Sequence, residues 1–360
     1  MITYQMRKID KIFEILPVDV IVFSRQRQDR LIRSLKLWSV QPFRFIILDN
    51  SINPLKIDFA DNINYYHLPG LNYGSRALEA VQYLNNPYSI ICGDDESLVP
   101  FSINLMISFL ENNKNFASVG GKVIAAYKYG PRVIGSYAYE YMYGYVNQEK
   151  NSRVRIEKHF AQEFNGQIPI CGMYRLFRRN GITKLLESFF SARDVATPYI
   201  FQILAEIVCT SIGPNSTVNS VYLIRNWNNE MSNHSDWNRN TTFSSWWDNT
   251  IYQTEKMELM RNIREINKID DSLLHKILDE LAIKLAIPDD KVSQYNFNQH
   301  KFPKLKRRAN LIKFLVKRIL KPESIPKSLE KMLAEESNGL LSEEKLQIIE
   351  CTRMILGQKN

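Results

Sequence analysis

The stretch VDVIVFSRQRQDRLIRSLKLWSVQPFRFIILDNS, residues 18–51, decides the fold. It opens on a short run of β-branched and apolar residues (18–24), which is typical of a buried strand. Apolar residues at helical spacing follow in the positions Leu31, Ile32, Leu35 and Trp38. The segment FRFIILDNS (43–51) then predicts a second buried strand, so the order strand, helix, strand predicts a βαβ unit with parallel strands.

The same alternation continues down the chain. INYYHLPG (63–70) predicts a third strand, residues 72–86 an amphipathic helix, and YSIICG (88–93) a fourth strand. The hydrophobic fraction of 44% is ample for a large core. We therefore predict an α/β fold with a mixed, mostly parallel sheet flanked by helices.

The predicted organisation has three parts. An N-terminal extension covers residues 1–16, and the α/β domain covers 17–250. Residues 251–360 form a helical C-terminal region, because the pattern after residue 250 is almost wholly helical.

Three of the predicted strands end in polar residues. These ends are Ser24-Arg25-Gln26-Arg27, Asp49-Asn50-Ser51 and Asp94-Asp95-Glu96. Ligands of open parallel sheets bind at the carboxyl ends of the strands. The three polar ends are therefore expected to meet at one edge of the sheet and to form the candidate site.

The acidic turn, Asp94 to Glu96, follows a buried strand directly. Carboxylates this close repel one another, so a positive partner is expected. Mg²⁺ or Mn²⁺ is one candidate, because both prefer oxygen ligands and commonly bind carboxylates together with substrate phosphates. A basic side chain, a solvated turn and an N-cap for the helix near Phe101 are the alternatives that the sequence leaves open.

Residues 18–51, together with NYGSRALEAVQYLNNPYSIICGDDE (72–96), resemble the opening of family 2-type glycosyltransferases with the GT-A fold. In that family the first strands form the nucleotide-binding half and lead to a D-x-D motif. The chain is similar in particular to a bacterial subgroup with a GDDE or GDDD motif, an RDV segment (193–195 here) and a Trp-rich tail, HSDWNRNTTFSSWW (234–247). The resemblance covers roughly residues 17–250.

The resemblance implies a role for each matching position. For the nucleotide-sugar donor, the implied binding residues are Ser24, Arg27, Asp49, Asn50, Asn72, Gly74, Arg76 and Asp94. For a divalent cation, Mn²⁺ or Mg²⁺, the implied ligands are Asp94, Asp95, Glu96 and His234, with the two principal carboxylates left open. Asp194 matches the general base of inverting members.

Several of these residues have a structural alternative. Asp49 is also suited to capping a turn, and Arg76 to a helix surface. Asp194 is also explained as a charge at a helix N-terminus, because we predict one long helix over 193–211. His234 is equally suited to a solvated loop. Seven tyrosines lie between Tyr127 and Tyr145, where they are suited either to stacking on sugars or to packing.

The resemblance implies transfer of a sugar to a hydroxyl of a bacterial surface glycan such as lipopolysaccharide or capsule. The family's Pro-Thr-x-Asn after the first strand is replaced by Phe23-Ser24-Arg25-Gln26, which departs from the pattern. Two alternatives remain open. One is a sugar-phosphate nucleotidyltransferase, although its Gly-rich loop is missing; the other is a non-catalytic, membrane-peripheral scaffold with a degenerate transferase fold.

The net charge of +9 is concentrated in one segment. Residues 291–321 hold ten basic and no acidic residues, so the rest of the chain is close to neutral. KLKRRANLIKFLVKRILK (304–321) has an apolar stripe beside its basic faces, which predicts an amphipathic helix suited to an anionic membrane surface. A helix packed on the domain is the alternative. Nucleic acid is the rival partner for a basic stretch, but the sequence contains no recognised nucleic-acid-binding motif.

Cysteine spacing and the N-terminus predict the compartment. The four cysteines form no C-x-x-C pair, which argues against a zinc site or a disulfide framework. The N-terminus does not resemble a signal peptide, and no apolar run reaches the length of a spanning helix. We therefore expect a cytoplasmic protein. The basic segment 304–321 adds the expectation that it binds peripherally to the inner face of the cytoplasmic membrane.

Overall fold

The chain is described by a computed structural model, and the described residues are 15–129, 132–161, 172–195, 199–226, 243–284, 329, 332–333 and 342–356. His234, the basic segment 304–321 and the start of the N-terminal extension lie outside these residues.

The strands of the described residues join into one sheet. Their bounds are β1 Val18–Ser24, β2 Arg44–Asp49, β3 Ile63–His67, β4 Tyr88–Gly93, β5 Glu96–Leu98, β6 Ser118–Tyr129, β7 Arg132–Ala138, β8 Leu176–Arg178 and β9 Asn215–Asn226. Their order is β3-β2-β1-β4-β8-β6-β9-β5, with β7 paired to β6.

The first half of the sheet is parallel and the second half is mixed. Strands β3, β2, β1 and β4 pair in parallel, as do β6 and β9. Strand β8 is antiparallel to both β4 and β6, while β5 and β7 are antiparallel edge strands on β9 and β6. The predicted α/β class with a mixed sheet is confirmed, and the carboxyl ends of β1, β2 and β4 lie side by side.

The helices cover both faces of this sheet. Their bounds are α1 Gln28–Trp38, α2 Tyr73–Gln82, α3 Pro100–Asn112, α4 Ser152–Ala161, α5 Arg179–Ser191, α6 Tyr199–Ile212, α7 Phe243–Asp248, α8 Gln253–Asn267, α9 Asp271–Lys284 and α10 Ser342–Ile355.

Two apolar cores separate the helices from the sheet. Successive residues of a strand point to opposite faces, so each central strand serves both cores. In β1, Val20 and Val22 pack in the core under α1, α3 and α10, while Ile21 packs in the core under α2, α5 and α6. This double burial explains why the strand sequences are continuous apolar runs rather than alternating ones.

The last helix of the chain packs against the α/β core. Glu344 of α10 is buried and accepts hydrogen bonds from Ser220 Oγ (2.7 Å) and Val221 N (3.1 Å) of β9. Gln347 accepts one from Phe101 N at the start of α3 (3.0 Å). In the described part of the chain, no helix combines the length and the apolar character needed to cross a bilayer.

The predicted long helix over 193–211 begins later than expected. Helix α6 starts at Tyr199, whereas Arg193 and Asp194 belong to the turn that closes α5. The backbone N–H of Arg193 still donates to Phe190 O (3.1 Å), and that of Val195 donates to Ala192 O (3.2 Å). Asp194 is therefore not in the first turn of α6, and the helix-dipole alternative for this residue does not apply.

Helix α2 packs very closely on α5. A Cβ atom placed on Gly74 would lie 2.4 Å from Phe189 O and 2.8 Å from Arg193 Cβ. Both contacts are far inside normal van der Waals distance, and one partner is backbone. A side chain at position 74 would therefore push the two helices apart.

We expect Gly74→Ala to destabilise the fold by about 1–3 kcal/mol, as overpacked positions do. In an unconstrained helix the same change stabilises by up to about 1 kcal/mol, so the sign of the effect tests the contact. Urea unfolding measures it, with Ser75→Ala on the same helix as the matched control. A Gly74→Ala protein as stable as the wild type would contradict the close approach of α2 to α5.

Candidate functional site

The aspartate pair, Asp94 and Asp95, lies at the carboxyl end of β4 and is bridged by one guanidinium. Arg27 Nη1 lies 2.8 Å from Asp94 Oδ1, and Arg27 Nη2 lies 2.5 Å from Asp95 Oδ2. Arg30 Nη1 also reaches Asp95 Oδ2, at 3.1 Å. Ser24, the last residue of β1, donates to Asp94 Oδ2 at 2.9 Å. The basic partner anticipated as one alternative for the acidic turn is therefore present.

Glu96, the third carboxylate, is directed away from this pair. It begins β5, where Glu96 Oε1 forms an ion pair of 2.6 Å with Arg225 Nε from β9. Its other oxygen accepts a hydrogen bond from Gly93 N at 2.8 Å. The acidic turn thus separates into an aspartate pair on one side and a buried glutamate–arginine pair on the other.

Helix α1 also holds the backbone of the acidic turn. Ser34 Oγ donates to Asp94 O at 2.9 Å, and Trp38 Nε1 donates to Glu96 O at 3.2 Å. Arg30, Ser34 and Trp38 follow one another at intervals of four residues, so they form one stripe on the helix. This polar stripe fixes the turn that carries the carboxylates.

Burial raises the pKa of Asp94 to about 7, against the lowering effect of the Arg27 guanidinium and the hydrogen bond from Ser24. The pKa of Glu96 is also raised, chiefly by burial, and Arg225 opposes that shift. Burial disfavours the charged form of a carboxyl group, so ionised Asp94 depends on its cationic neighbour.

The end of β2 is an inward-facing hydrogen-bonded turn. Asp49 is fully buried, and its Oδ1 accepts from both Ser51 N (2.9 Å) and Ser51 Oγ (2.6 Å). Tyr65 donates its hydroxyl to Asp49 Oδ2 at 2.7 Å. Asn50 accepts from Gly70 N through its side-chain oxygen (2.7 Å). These contacts match the turn-capping alternative for Asp49, whereas its role in binding the nucleotide-sugar donor stays a prediction.

Helix α2 connects the strand ends to α5. Arg76 is buried and donates from Nη1 to Ser24 O (2.7 Å) and Leu48 O (2.8 Å), so it joins β1 to β2 instead of lying on the surface. Asn72 caps α2 by accepting from Ser75 N (2.9 Å), and its amide donates to Arg193 O (3.0 Å). Asn72 therefore ties the turn after α5 to the site.

Asp194 lies in that turn, next to the carbonyl held by Asn72. Its side chain is 75% exposed, and its Oδ2 lies 3.2 Å from Arg193 Nε. An exposed carboxylate on an anchored turn is accessible to a substrate hydroxyl. His234, the other predicted late contributor, lies outside the described residues.

A small cavity with four tyrosines in its wall adjoins the Glu96–Arg225 pair. It has room for about one water-sized group, and its walls include Gly120, Tyr139, Met142, Tyr143, Tyr174 and Tyr222. Arg225 donates to the hydroxyls of Tyr139 and Tyr174 on the cavity wall. Tyr139 has a left-handed backbone conformation (φ 60°), which is uncommon outside glycine and clusters at functional sites.

The aspartate pair fits a divalent cation. Its oxygens are the ligand type that Mg²⁺ and Mn²⁺ prefer, and the Arg27 guanidinium already places positive charge between the two carboxylates. Asp94 Oδ1 is buried and has no hydrogen-bond donor in the described part of the chain. Across the described ranges, however, no three His, Cys, Asp or Glu side chains are grouped as for a metal. Substrate phosphates would complete such a site.

Two arginines of the site were missed in the sequence. The sequence does contain a signal for Arg30, because this residue lies one helical turn after Arg27 on the predicted first helix. Arg225 pairs with a carboxylate 129 positions earlier in the chain, through the antiparallel register of β5 and β9. The only sequence signal for Arg225 is that it directly follows the short apolar run VYLI (221–224).

Comparisons with known proteins give similarity of shape alone. No family model matches the chain, and no curated protein matches it. A crystal structure of S. aureus TarS 1–349 in complex with UDP-GlcNAc has a TM-score of 0.44 at 13% identity, over 95% of this chain and 92% of that one. The same fragment with UDP has a TM-score of 0.39 at 11% identity, over 80% and 93% of the two chains.

A longer TarS structure has a TM-score of 0.43 at 11% identity. That match covers 73% of this chain but only 42% of the other, so the chain spans less than half of the longer TarS structure. Similarity at this level assigns no activity to the chain.

We expect Asp94→Asn to gain stability relative to the wild type as the pH rises from 5 to 8. The folded-state pKa of Asp94, about 7, lies above the unfolded value near 4, so its contribution is present at low pH and lost as the pH rises through 7. Urea unfolding in a metal chelator should show the difference between variant and wild type growing by roughly 1–3 kcal/mol. Asp58→Asn, which removes an exposed carboxylate, is the matched control. A pH-independent difference for Asp94→Asn would contradict the raised pKa.

Proposed function

We propose that the chain is a nucleotide-sugar glycosyltransferase that uses a divalent cation and inverts the transferred sugar. One observation carries the proposal. Two adjacent carboxylates and two guanidinium groups lie together at the end of β4, beside the polar ends of β1 and β2. An edge of this kind is where parallel sheets bind ligands, and the mixed charges suit a metal-bound diphosphate.

The leaving group determines what the site must do. Transfer breaks the bond between the anomeric carbon and the diphosphate oxygen, and negative charge develops on the diphosphate. Mn²⁺ or Mg²⁺, held by Asp94 and Asp95, would supply Lewis-acid stabilisation of that charge. Arg27 and Arg30 lie beside the pair and would contribute fixed positive charge to the same oxygens.

The acceptor side needs a base. In the proposed reaction, the acceptor hydroxyl forms the new bond to the anomeric carbon, and Asp194 takes its proton. Direct displacement of this kind inverts the configuration at that carbon. The exposure of Asp194 and the anchoring of its turn through Asn72 support this assignment.

The acceptor in this proposal is a glycan or a lipid-linked glycan of a bacterial surface. We also propose that the basic segment 304–321 brings the enzyme to an anionic membrane surface, in keeping with its sequence pattern.

A donor screen tests the proposal against its rivals. The full chain is incubated with Mn²⁺ and a panel of UDP-, GDP- and CMP-sugars, and thermal shift and donor hydrolysis are measured. Stabilisation by one nucleotide sugar, with slow release of its nucleotide, supports a transferase. Turnover of a nucleoside triphosphate with a sugar phosphate would indicate a nucleotidyltransferase, and no response to any nucleotide would indicate a scaffold.

Variants separate donor binding from chemistry. We expect Asp94→Asn and Asp95→Asn each to weaken Mn²⁺-dependent binding of the selected nucleotide by about tenfold or more, because each removes a proposed metal ligand. We expect Asp194→Asn to bind the donor normally but to lower the transfer rate by roughly 10²–10⁴-fold. Calorimetry and product analysis give the two readouts.

Asp58→Asn is the matched control, because Asp58 is an exposed carboxylate far from β4 in the sequence. It should change neither readout. Full transfer activity in Asp194→Asn would exclude this residue as the base, while unaltered donor binding in Asp94→Asn would reject the proposed metal and diphosphate site.

A further inference from the structure

We propose that Arg27 is a displaceable internal cation, and this inference rests on the proposed function. In the free protein the Arg27 guanidinium occupies the place between Asp94 and Asp95. When a divalent cation and a nucleotide diphosphate bind together, the cation takes the carboxylates and Arg27 turns to the diphosphate.

The first support is that the two cations would share the same oxygens. Arg27 reaches one oxygen of each aspartate, at 2.8 and 2.5 Å. A divalent ion bridging the pair needs oxygens from both carboxylates as well. Two positive groups at that distance repel each other strongly in a partly buried site, so the ion and the guanidinium compete.

The second support is the imperfect fit between Arg27 and Asp94. The contact between Arg27 Nη1 and Asp94 Oδ1 is short but does not form a hydrogen bond, and both Asp94 Oδ1 and Arg27 Nε are buried without a hydrogen-bond partner in the described chain. A polar atom left in this state costs free energy. A ligand that satisfied Asp94 Oδ1 directly, and allowed Arg27 to bond fully elsewhere, would remove that cost.

The third support is the position of Arg27 in the chain. It occupies the N-cap of α1, where its carbonyl accepts the first backbone hydrogen bonds of the helix, and follows Gln26, which has a positive φ of 51°. Its side chain is 27% exposed, whereas Arg30 is carried inside the helix at 19%. Of the two arginines, Arg27 is therefore the one that is able to change partners without disturbing the polar stripe of α1.

Charge balance gives the expected coupling. With both aspartates ionised, the pair and the two arginines sum to zero, so a divalent cation alone leaves an excess of positive charge, and a diphosphate alone leaves an excess of negative charge. Both ligands together leave the site close to neutral. The free protein should therefore bind Mn²⁺ weakly, and Mn²⁺ and nucleotide should favour each other's binding.

The experiment is a Mn²⁺ titration of the full chain, with the free ion measured by electron paramagnetic resonance, with and without UDP or GDP. Without nucleotide, we expect Arg27→Gln to bind Mn²⁺ about tenfold or more tighter than the wild type, because the competing cation is gone. With Mn²⁺ saturating, we expect the same variant to bind the nucleotide about tenfold more weakly. The coupling between the two ligands should shrink accordingly.

Arg33→Gln is the matched control, since it removes an exposed arginine from the same helix and should leave Mn²⁺ affinity unchanged. Circular dichroism checks folding. Arg27→Lys is the second variant, because a lysine keeps the charge but cannot bridge two carboxylates in the same way; it should bind Mn²⁺ with intermediate affinity.

The outcomes separate this inference from the proposed function. Arg27→Gln with unchanged or weaker Mn²⁺ affinity overturns the displaceable cation, even where the wild type binds nucleotide. Failure of all the proteins to bind Mn²⁺ under any condition overturns it as well. Tighter Mn²⁺ binding by Arg27→Gln, with no nucleotide bound by any of the proteins, would support the competition and reject the nucleotide-sugar function.

Discussion

The site depends on the need to neutralise carboxylates at the end of a buried strand. Strand β4 is inaccessible on both faces, and Asp94 follows it with only 2% of its side chain exposed. Isolated charges at such a position are very costly. Helix α1 offsets this cost in two ways. Arg27 and Arg30 supply positive charge. Ser34 and Trp38 donate hydrogen bonds to the backbone of the acidic turn. The path of the chain from β1 into α1 is thus fixed by the acidic turn far along the sequence.

The sequence predicted the parallel half of the sheet because its signal is local. Doubly buried strands read as continuous apolar runs, and residues 18–24, 43–51 and 88–93 all do so. The short strand β5 was not predicted, because its three residues are too few for a period to show. The predicted start of α6 was also wrong, because Arg193 and Val195 donate backbone hydrogen bonds back to the end of α5.

The position of the candidate site was predictable from the sequence, but the ion pairs within it were not. The polar ends of β1, β2 and β4 meet because adjacent parallel strands end at the same edge, which topology alone requires. Which carboxylate takes which partner depends on long-range register instead. Glu96 is separated from Asp94 because β5 pairs antiparallel with β9, which places Arg225 directly opposite it. The spacing of the tripeptide contains no information about that strand.

One asparagine connects the proposed diphosphate site to the turn that carries the proposed base. Asn72 fixes the start of α2 through its cap, and the same side chain holds the carbonyl of Arg193, the residue before Asp194. Arg76, one turn further along α2, binds the carbonyls at the ends of β1 and β2. The proposed base and the proposed diphosphate site are therefore positioned from a single short helix. A glycine at position 74 is required between them, because any side chain there would separate α2 from α5 and move the turn that carries the base.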